Sequence, residues 1–248
     1  MKDTKILWSI IIMLGVAAMI LACCGAVVVG GIVISATLPL TSRIVPLPTV
    51  IQPLEITPIT PLAHPLEDGR ALGNMDAPVT VEVFEDFQCP ACSHFAQDVE
   101  QRLIEEYVTT GYVYLMIRHY PFLDDASQTG ESDQAANASM CAGEQDRFWD
   151  YRDVLFANMA GENQGAYSDA NLLRFAEELG LNMAAFRECF RLNRYEDEIT
   201  ADLELGQEYG VRGVPTIFVN GQAVGDVTTV PTYEELRTAI ERALHGDT

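Results

Sequence analysis

From Ile6 to Ser42 the chain carries no charged residue, and most of that stretch is Ile, Leu, Val, Ala, Met and Gly. A run of this length has no place in a small water-facing domain, whereas a bilayer-spanning helix needs about 20 such residues. Lys2 and Lys5 flank it with one acid, Asp3. The positive-inside bias therefore predicts a cytoplasmic tip at residues 1–5, a single transmembrane anchor over 6–38, and all later sequence outside the cell membrane. A cleaved signal peptide is the rival reading, but its apolar region is usually only about 7–15 residues. Ile20-Leu21-Ala22-Cys23 loosely matches a lipoprotein box. Apolar sequence continues well past it, so Cys23 and Cys24 read as small membrane-helix residues. Seven prolines then fall between Pro39 and Pro65 with few charges and no helical period. Such sequence favours extended polyproline II at roughly 3.1 Å per residue, a reach of ~80 Å. Residues 39–69 are expected to be an extracytoplasmic linker.

The remainder, residues 70–248, has the pattern of a folded domain. Val79-Thr-Val-Glu-Val-Phe84 alternates with period two and predicts a strand. Pro90 to about Thr109 predicts a helix with Phe95, Val99, Leu103, Ile104 and Tyr107 on one stripe, ended by Gly111. Tyr112 to Arg118 predicts a second strand, and a β-α-β unit normally has parallel strands with a right-handed crossover. Helical patterns follow near Glu131–Gln145, Arg147–Met159, Asp169–Leu179, Met183–Leu192 and Glu196–Tyr209. Thr216 to Val224 reads as strand–turn–strand, and a last helix is expected near Thr232–Leu244. There is no internal repeat.

Charge narrows the function. The formal net charge is −21, and residues 1–70 hold four basic and four acidic residues, so 11 arginines against 32 acids place all of it in residues 71–248. Such a surface repels phosphate backbones and argues against nucleic acid as a partner. No lysine follows Lys5, which excludes lysine Schiff-base chemistry and P-loop phosphate binding from the folded part.

The residues with chemistry are Cys89-Pro90-Ala91-Cys92, just after the first strand and at the start of the first helix. Unpaired N–H groups and the positive dipole end of a helix stabilise a thiolate there. Proline is tolerated in the first turn because its missing donor is not needed. Cys92, one turn along, is placed to close a small disulfide with Cys89. Half a zinc site is the competing reading of such a pair, but there is no second C-x-x-C, and His64, His94, His119 and His245 are scattered. Val214-Pro215-Thr216 is the second element. A proline here is allowed at the first residue of a strand, and an ordinary trans turn proline is its plainest explanation.

Together these pieces resemble the thioredoxin fold, and within it DsbA-like thiol–disulfide oxidoreductases. The resemblance covers about residues 70–248. It rests on Phe84–Cys92, Arg118-His-Tyr-Pro121, Cys141-Ala-Gly-Glu-Gln with Phe148-Trp149, and Val211–Gly221. It implies an α/β thioredoxin fold with an inserted helical subdomain over about 125–209. Cys89 and Cys92 would be the catalytic pair, supported by Pro90, Ala91, Val214 and a cis Pro215, with the backbone of Val214 pairing to an extended substrate. Cys141 and Cys189 would form a structural disulfide; two free buried cysteines are the alternative. Relatives place an acid six positions before the first cysteine. Val83 stands there, and strand alternation puts the nearby Glu82 on the opposite face, while Glu85 is also close. His94 and His119 are candidates to tune the thiolate, although surface or packing roles are commoner for each.

The resemblance further implies a membrane-tethered oxidase that gives disulfides to exported protein thiols, needs no cofactor or metal, and is reoxidised by a quinone-linked membrane partner of the DsbB or vitamin-K-epoxide-reductase type. The same site held reduced would serve a reductase or isomerase. A non-catalytic binding or metal-delivery module is the reading from a different class, but Met75, Met116, Met140, Met159 and Met183 are spread out and read as core fillers.

Overall fold

The computed structural model describes residues 56–57, 64–124, 130–226 and 228–246. The expected anchor over 6–38 and most of the Pro-rich linker lie outside the described residues. Among the described residues no helix is long and apolar enough to cross a membrane.

Alternating β-branched residues make the central strands. β1 (Glu67–Asp68), β2 (Ala71–Leu72), β3 (Val79–Glu85), β4 (Val113–His119), β5 (Thr216–Val219) and β6 (Gln222–Ala223) form one sheet in the order β1-β2-β4-β3-β5-β6. β3 and β4 are parallel, in register from Val79↔Val113 to Glu85↔His119, and the other pairs are antiparallel. β5 turns into β6 through Asn220 and Gly221, both at positive φ (47° and 77°), the Asn-Gly pairing that a two-residue hairpin requires. The sheet begins before residue 70, because β1 and β2 form a hairpin too short to leave a periodic signal. The folded unit reaches further back still: Ile56 packs on the helical core and the Thr57 amide donates to Asn158 Oδ1 at 2.7 Å.

The continuous helix expected over Pro90–Thr109 is instead three pieces. α1 (Pro90–Gln97) and α2 (Val99–Leu103) are separated at Asp98, and a single π-turn (Ile104–Val108) completes the segment. Asp98 departs from helical geometry at φ −119°, ψ −68°. The Gln101 side chain donates to the Ala96 carbonyl next to the break at 3.3 Å. In the π-turn the Thr109 amide reaches back five residues to Ile104, which keeps Ile104, Tyr107 and Val108 buried together. Downstream, α3 (Glu131–Gly143), α4 (Phe148–Ala157), α5 (Asp169–Glu178), α6 (Met183–Arg191), α7 (Glu196–Glu208) and α8 (Tyr233–His245) fall within two residues of the expected bounds. A capping box of Thr232 and Glu235 starts α8 and Gly246 at φ 75° ends it.

Strand alternation sorts the core into two faces. Val81, Val83, Leu115, Ile117 and Ile217 pack with Leu103, Phe148, Trp149, Leu236 and Ile240. Phe84 and Phe218 point the other way, to Tyr120, Val211 and the α7 residues Leu203 and Leu205. α7 lies close because Gly206 has no side chain: a Cβ there would sit 2.5 Å from Tyr120 Cε2. A third cluster fills the helical subdomain and includes Cys89 and Cys92.

Cys141 of α3 and Cys189 of α6 form a buried disulfide, 5.8 Å between Cα atoms and 48 residues apart. Closing a loop of that size removes unfolded-state entropy. The double substitution Cys141→Ala, Cys189→Ala is expected to lower the unfolding free energy by roughly 2–4 kcal/mol in denaturant titration. An unchanged midpoint and slope would show that the bridge adds nothing to stability.

Candidate active site

The end of β3 delivers the chain to a short loop, Asp86-Phe87-Gln88, and Cys89 then occupies the N-cap of α1 with φ −86°, ψ 116° and Pro90 following in the first turn. The Cys89 carbonyl accepts from the Ser93 amide at 3.1 Å, opening the helix. Proline fits because no donor is needed at that position. Pro90 is exposed, Ala91 half-buried, and the two sulfur residues are mostly covered, Cys89 at 7 % and Cys92 at 1 % exposure. Both carry free thiols.

The two sulfurs differ sharply in acidity. Hydrogen bonding from Cys92 is the main influence that pulls Cys89 down to about 7. The backbone amides of Cys92 and Ala91 add to it, and partial burial opposes it. Burial pushes Cys92 well above the usual thiol value, reinforced by the hydrogen bond and charge of Cys89 and by the charge of Glu85. A thiolate near neutral pH is both a nucleophile and a good leaving group. The site therefore has one outer sulfur prepared to be an anion and one inner sulfur that holds its proton.

Val214 and Pro215 lie opposite, joined by a cis peptide bond. Cys89 Sγ donates to the Val214 carbonyl at 3.3 Å, so residues 125 positions apart meet at the reactive sulfur. Pro215 is buried and Val214 half-buried.

The loop before Cys89 is braced by residues that sequence reasoning did not single out. Asp86 accepts from the amides of Gln88 and Leu123 at 2.8 Å each and from Ser132 Oγ at 2.7 Å. Burial nonetheless pushes its carboxyl up, against those three bonds. Gln88 Nε2 donates to Ser132 Oγ at 2.8 Å and Asp124 Oδ1 at 3.1 Å, and Gln88 Oε1 accepts from the Asn163 amide at 2.5 Å. The position six before Cys89 is Val83, fully buried and apolar. Glu82 lies on the other face and binds Arg118 at 2.7 Å. Of the two candidate histidines, His94 is exposed on α1. His119 is buried against the rings of Phe87 and Phe148, and burial keeps it neutral. Neither contributes a positive charge at the sulfurs through a hydrogen bond. Among the described residues no cluster of three or more His, Cys, Asp and Glu is arranged to hold a metal ion.

A family model described as thioredoxin matches residues 66–242. The chain is 29 % identical over 177 residues to the probable disulfide bond formation protein D of Bacillus anthracis, covering 71 % of this chain and 78 % of that protein. It is 36 % identical over 166 residues to the Na(+)/H(+) antiporter NhaA 3 of Salinispora tropica, a match that spans 66 % of this chain and 24 % of that protein. The crystal structure of oxidised BdbD from Bacillus subtilis superposes with a TM-score of 0.63 at 26 % identity, over 72 % of this chain and 94 % of that one.

Proposed function

Since the chain belongs to the thioredoxin family, we propose that its DsbA-like thiol–disulfide oxidoreductase chemistry runs in the oxidising direction and introduces disulfides into exported proteins through Cys89 and Cys92. The observation that carries this reading is the contrast between the sulfurs: Cys89 is drawn down to about 7 at a helix start, and Cys92 beneath it is pushed up. The resting site is a Cys89–Cys92 disulfide. A substrate thiolate attacks Cys89 Sγ and the bond's electron pair leaves on Cys92. A second substrate thiolate then attacks the substrate sulfur of the mixed disulfide, and Cys89 departs readily because its anion is stabilised.

Pro90 and Ala91 supply the turn that seats Cys89, and Val214 beside cis Pro215 borders it. The Val214 backbone would pair with an extended substrate chain. Reoxidation falls to a quinone-linked membrane partner, of the DsbB or vitamin-K-epoxide-reductase type. An anchor over residues 6–38 would hold the domain beside such a partner on the extracytoplasmic side. Relatives that carry the name of disulfide bond formation proteins favour the oxidising direction over a reductase or isomerase.

The reduction potential of the Cys89–Cys92 pair tests the direction. Stabilising the reduced form through the Cys89 thiolate makes the disulfide oxidising, so equilibration with glutathione is expected to return a value toward ~ −120 mV. A value near ~ −270 mV would reverse the proposed direction while leaving the exchange chemistry intact.

A further inference from the structure

Three helices of the inserted subdomain leave a cavity of about 620 Å³ between them, within the range of about 300–1,000 Å³ usual for small-ligand sites. Each wall carries a pair of residues four apart, which a helix places on one face: Asp133 and Asn137 on α3, Asp169 and Leu173 on α5, Arg187 and Arg191 on α6. The half-buried ring of Phe190 joins Leu173 as the apolar part of the lining. The walls are held in place. Asn137, 1 % exposed, donates from Nδ2 to the Phe190 carbonyl at 3.2 Å and accepts at Oδ1 from the Tyr195 amide at 3.3 Å. One turn further along α3, the Cys141–Cys189 disulfide ties that helix to α6. A cavity braced in this way exists before a ligand arrives, which lowers the ordering cost of binding.

Its charged groups lack counterparts within the domain. Arg70, Arg118, Arg147, Arg152 and Arg194 each pair with a carboxylate. Arg187 and Arg191 form no ion pair or side-chain hydrogen bond among the described residues, and neither do the carboxylates of Asp133 and Asp169. The two signs therefore line one cavity without neutralising each other by contact. Around the aspartates the surroundings are short of positive charge: partial desolvation pushes the Asp133 carboxyl up to about 6, and the charges of Asp124, Asp86 and Glu196 add to the push. A simple anion would meet the guanidiniums but face these carboxylates, and a simple cation would do the reverse. A ligand that satisfies both sets carries one group of each sign, with an apolar body between them to cover Leu173 and Phe190.

We propose that this cavity is a second binding site, separate from the exchange centre, whose ligand is a short zwitterionic peptide: its carboxylate meets Arg187 and Arg191, its ammonium meets Asp133 and Asp169, and an apolar side chain covers Leu173 and Phe190. The volume admits about two or three residues. Cys89, Cys92, Val214 and Pro215 are not among the lining residues, so the site stands whichever direction the exchange reaction takes.

Isothermal titration calorimetry of the full chain with the tripeptide Ala-Phe-Ala tests the assignment. Saturable binding at one site per chain, with a submillimolar dissociation constant, is expected. Amidating the carboxyl end of the peptide, or acetylating its amino end, is expected to weaken binding roughly tenfold in each case, as loss of a charge-assisted hydrogen bond does. The double substitution Arg187→Gln, Arg191→Gln is expected to abolish the amidation penalty and keep the acetylation penalty. Asp133→Asn with Asp169→Asn is expected to do the opposite. A purely structural role would weaken the free and blocked peptides alike, and that result overturns the proposal. So does an absence of saturable binding, a blocked peptide that binds as well as the free one, or a penalty that survives in its own variant. Dimerisation in sedimentation that the arginine pair abolishes would give the surface to a second copy of the chain instead. Opening of the Cys89–Cys92 disulfide by glutathione is expected to be unchanged in both variants, and a slowed opening would contradict a separate site. If one variant fails to fold, the other decides.

Discussion

Cys89→Ser is expected to reduce thiol–disulfide exchange to the uncatalysed background. The change removes the attacked sulfur while leaving the helix start and the Val214 carbonyl in place. A serine oxygen forms no disulfide, and among the described residues no other sulfur substitutes. Cys92 is 1 % exposed with its thiol pushed well up, and Cys141 and Cys189 are buried and joined to each other. The companion change Cys92→Ser has a different signature. Cys89 still exchanges into added disulfides, but no inner sulfur remains to resolve the product, so mixed disulfides at Cys89 accumulate. Both are read by insulin reduction and by mass spectrometry of trapped adducts. Activity surviving in Cys89→Ser would refute the assignment of the reactive sulfur.

Arg152→Met is expected to be the most damaging substitution for stability among residues that touch no sulfur. Arg152 is the cation of a buried triad, donating from Nε and Nη2 to Glu85 at 2.7 Å each and from Nη1 and Nη2 to Glu100 at 2.8 and 2.9 Å. Met replaces much of the apolar stem packed near Trp149 and Phe156 but abandons Glu85 and Glu100, whose carboxylates then share a dry site with no cation. Removing one partner of a buried ionic group costs about 3–5 kcal/mol, which for a domain of this size lowers the melting temperature by roughly ten degrees or more. The effect has a pH sign. Burial raises Glu100 from its usual value of 4.5 to about 7 in the folded chain. Its contribution to stability is therefore fully present below the lower figure and lost as pH rises through the upper one. Without Arg152 the acid form is favoured further, so the deficit of the variant should narrow on acidification and widen above neutral. A deficit that grows on acidification would contradict this account of the triad.

Much of the architecture is legible along the chain because it is local. The helices of the insert are bounded by Gly and Asn and striped at the helical period, so their ends emerge within two residues. The pairing of cysteines with a helix start is equally local, since strand, loop and helix follow one another from Val79 to Gln97. What periodicity does not carry are the consequences of distant approach. The break at Asp98 interrupts a stripe that continues unperturbed through Ile104 and Tyr107, and two-residue strands such as β1 and β2 leave no alternation to read. The largest omission is the buried triad. Arg152 is 67 residues from Glu85 and 52 from Glu100, and each reads alone as an ordinary charged residue on a strand or helix. Glu85 lies on the same face as Val83, one strand repeat further toward the cysteines, so alternation alone could have pointed to it. The cation facing it emerges only when α4 packs against the sheet.

The brace around Gln88 bears on how portable this reactivity is. The loop that presents the outer sulfur is shaped by Asp124, Ser132 and Asn163, up to 75 positions downstream, all contributed by the subdomain inserted after the second central strand. Grafting the four residues from Cys89 to Cys92 onto another scaffold would transplant the atoms without the mould that orients them. Evolutionary or engineered trimming of the insert would likewise alter the chemistry before it altered the sheet.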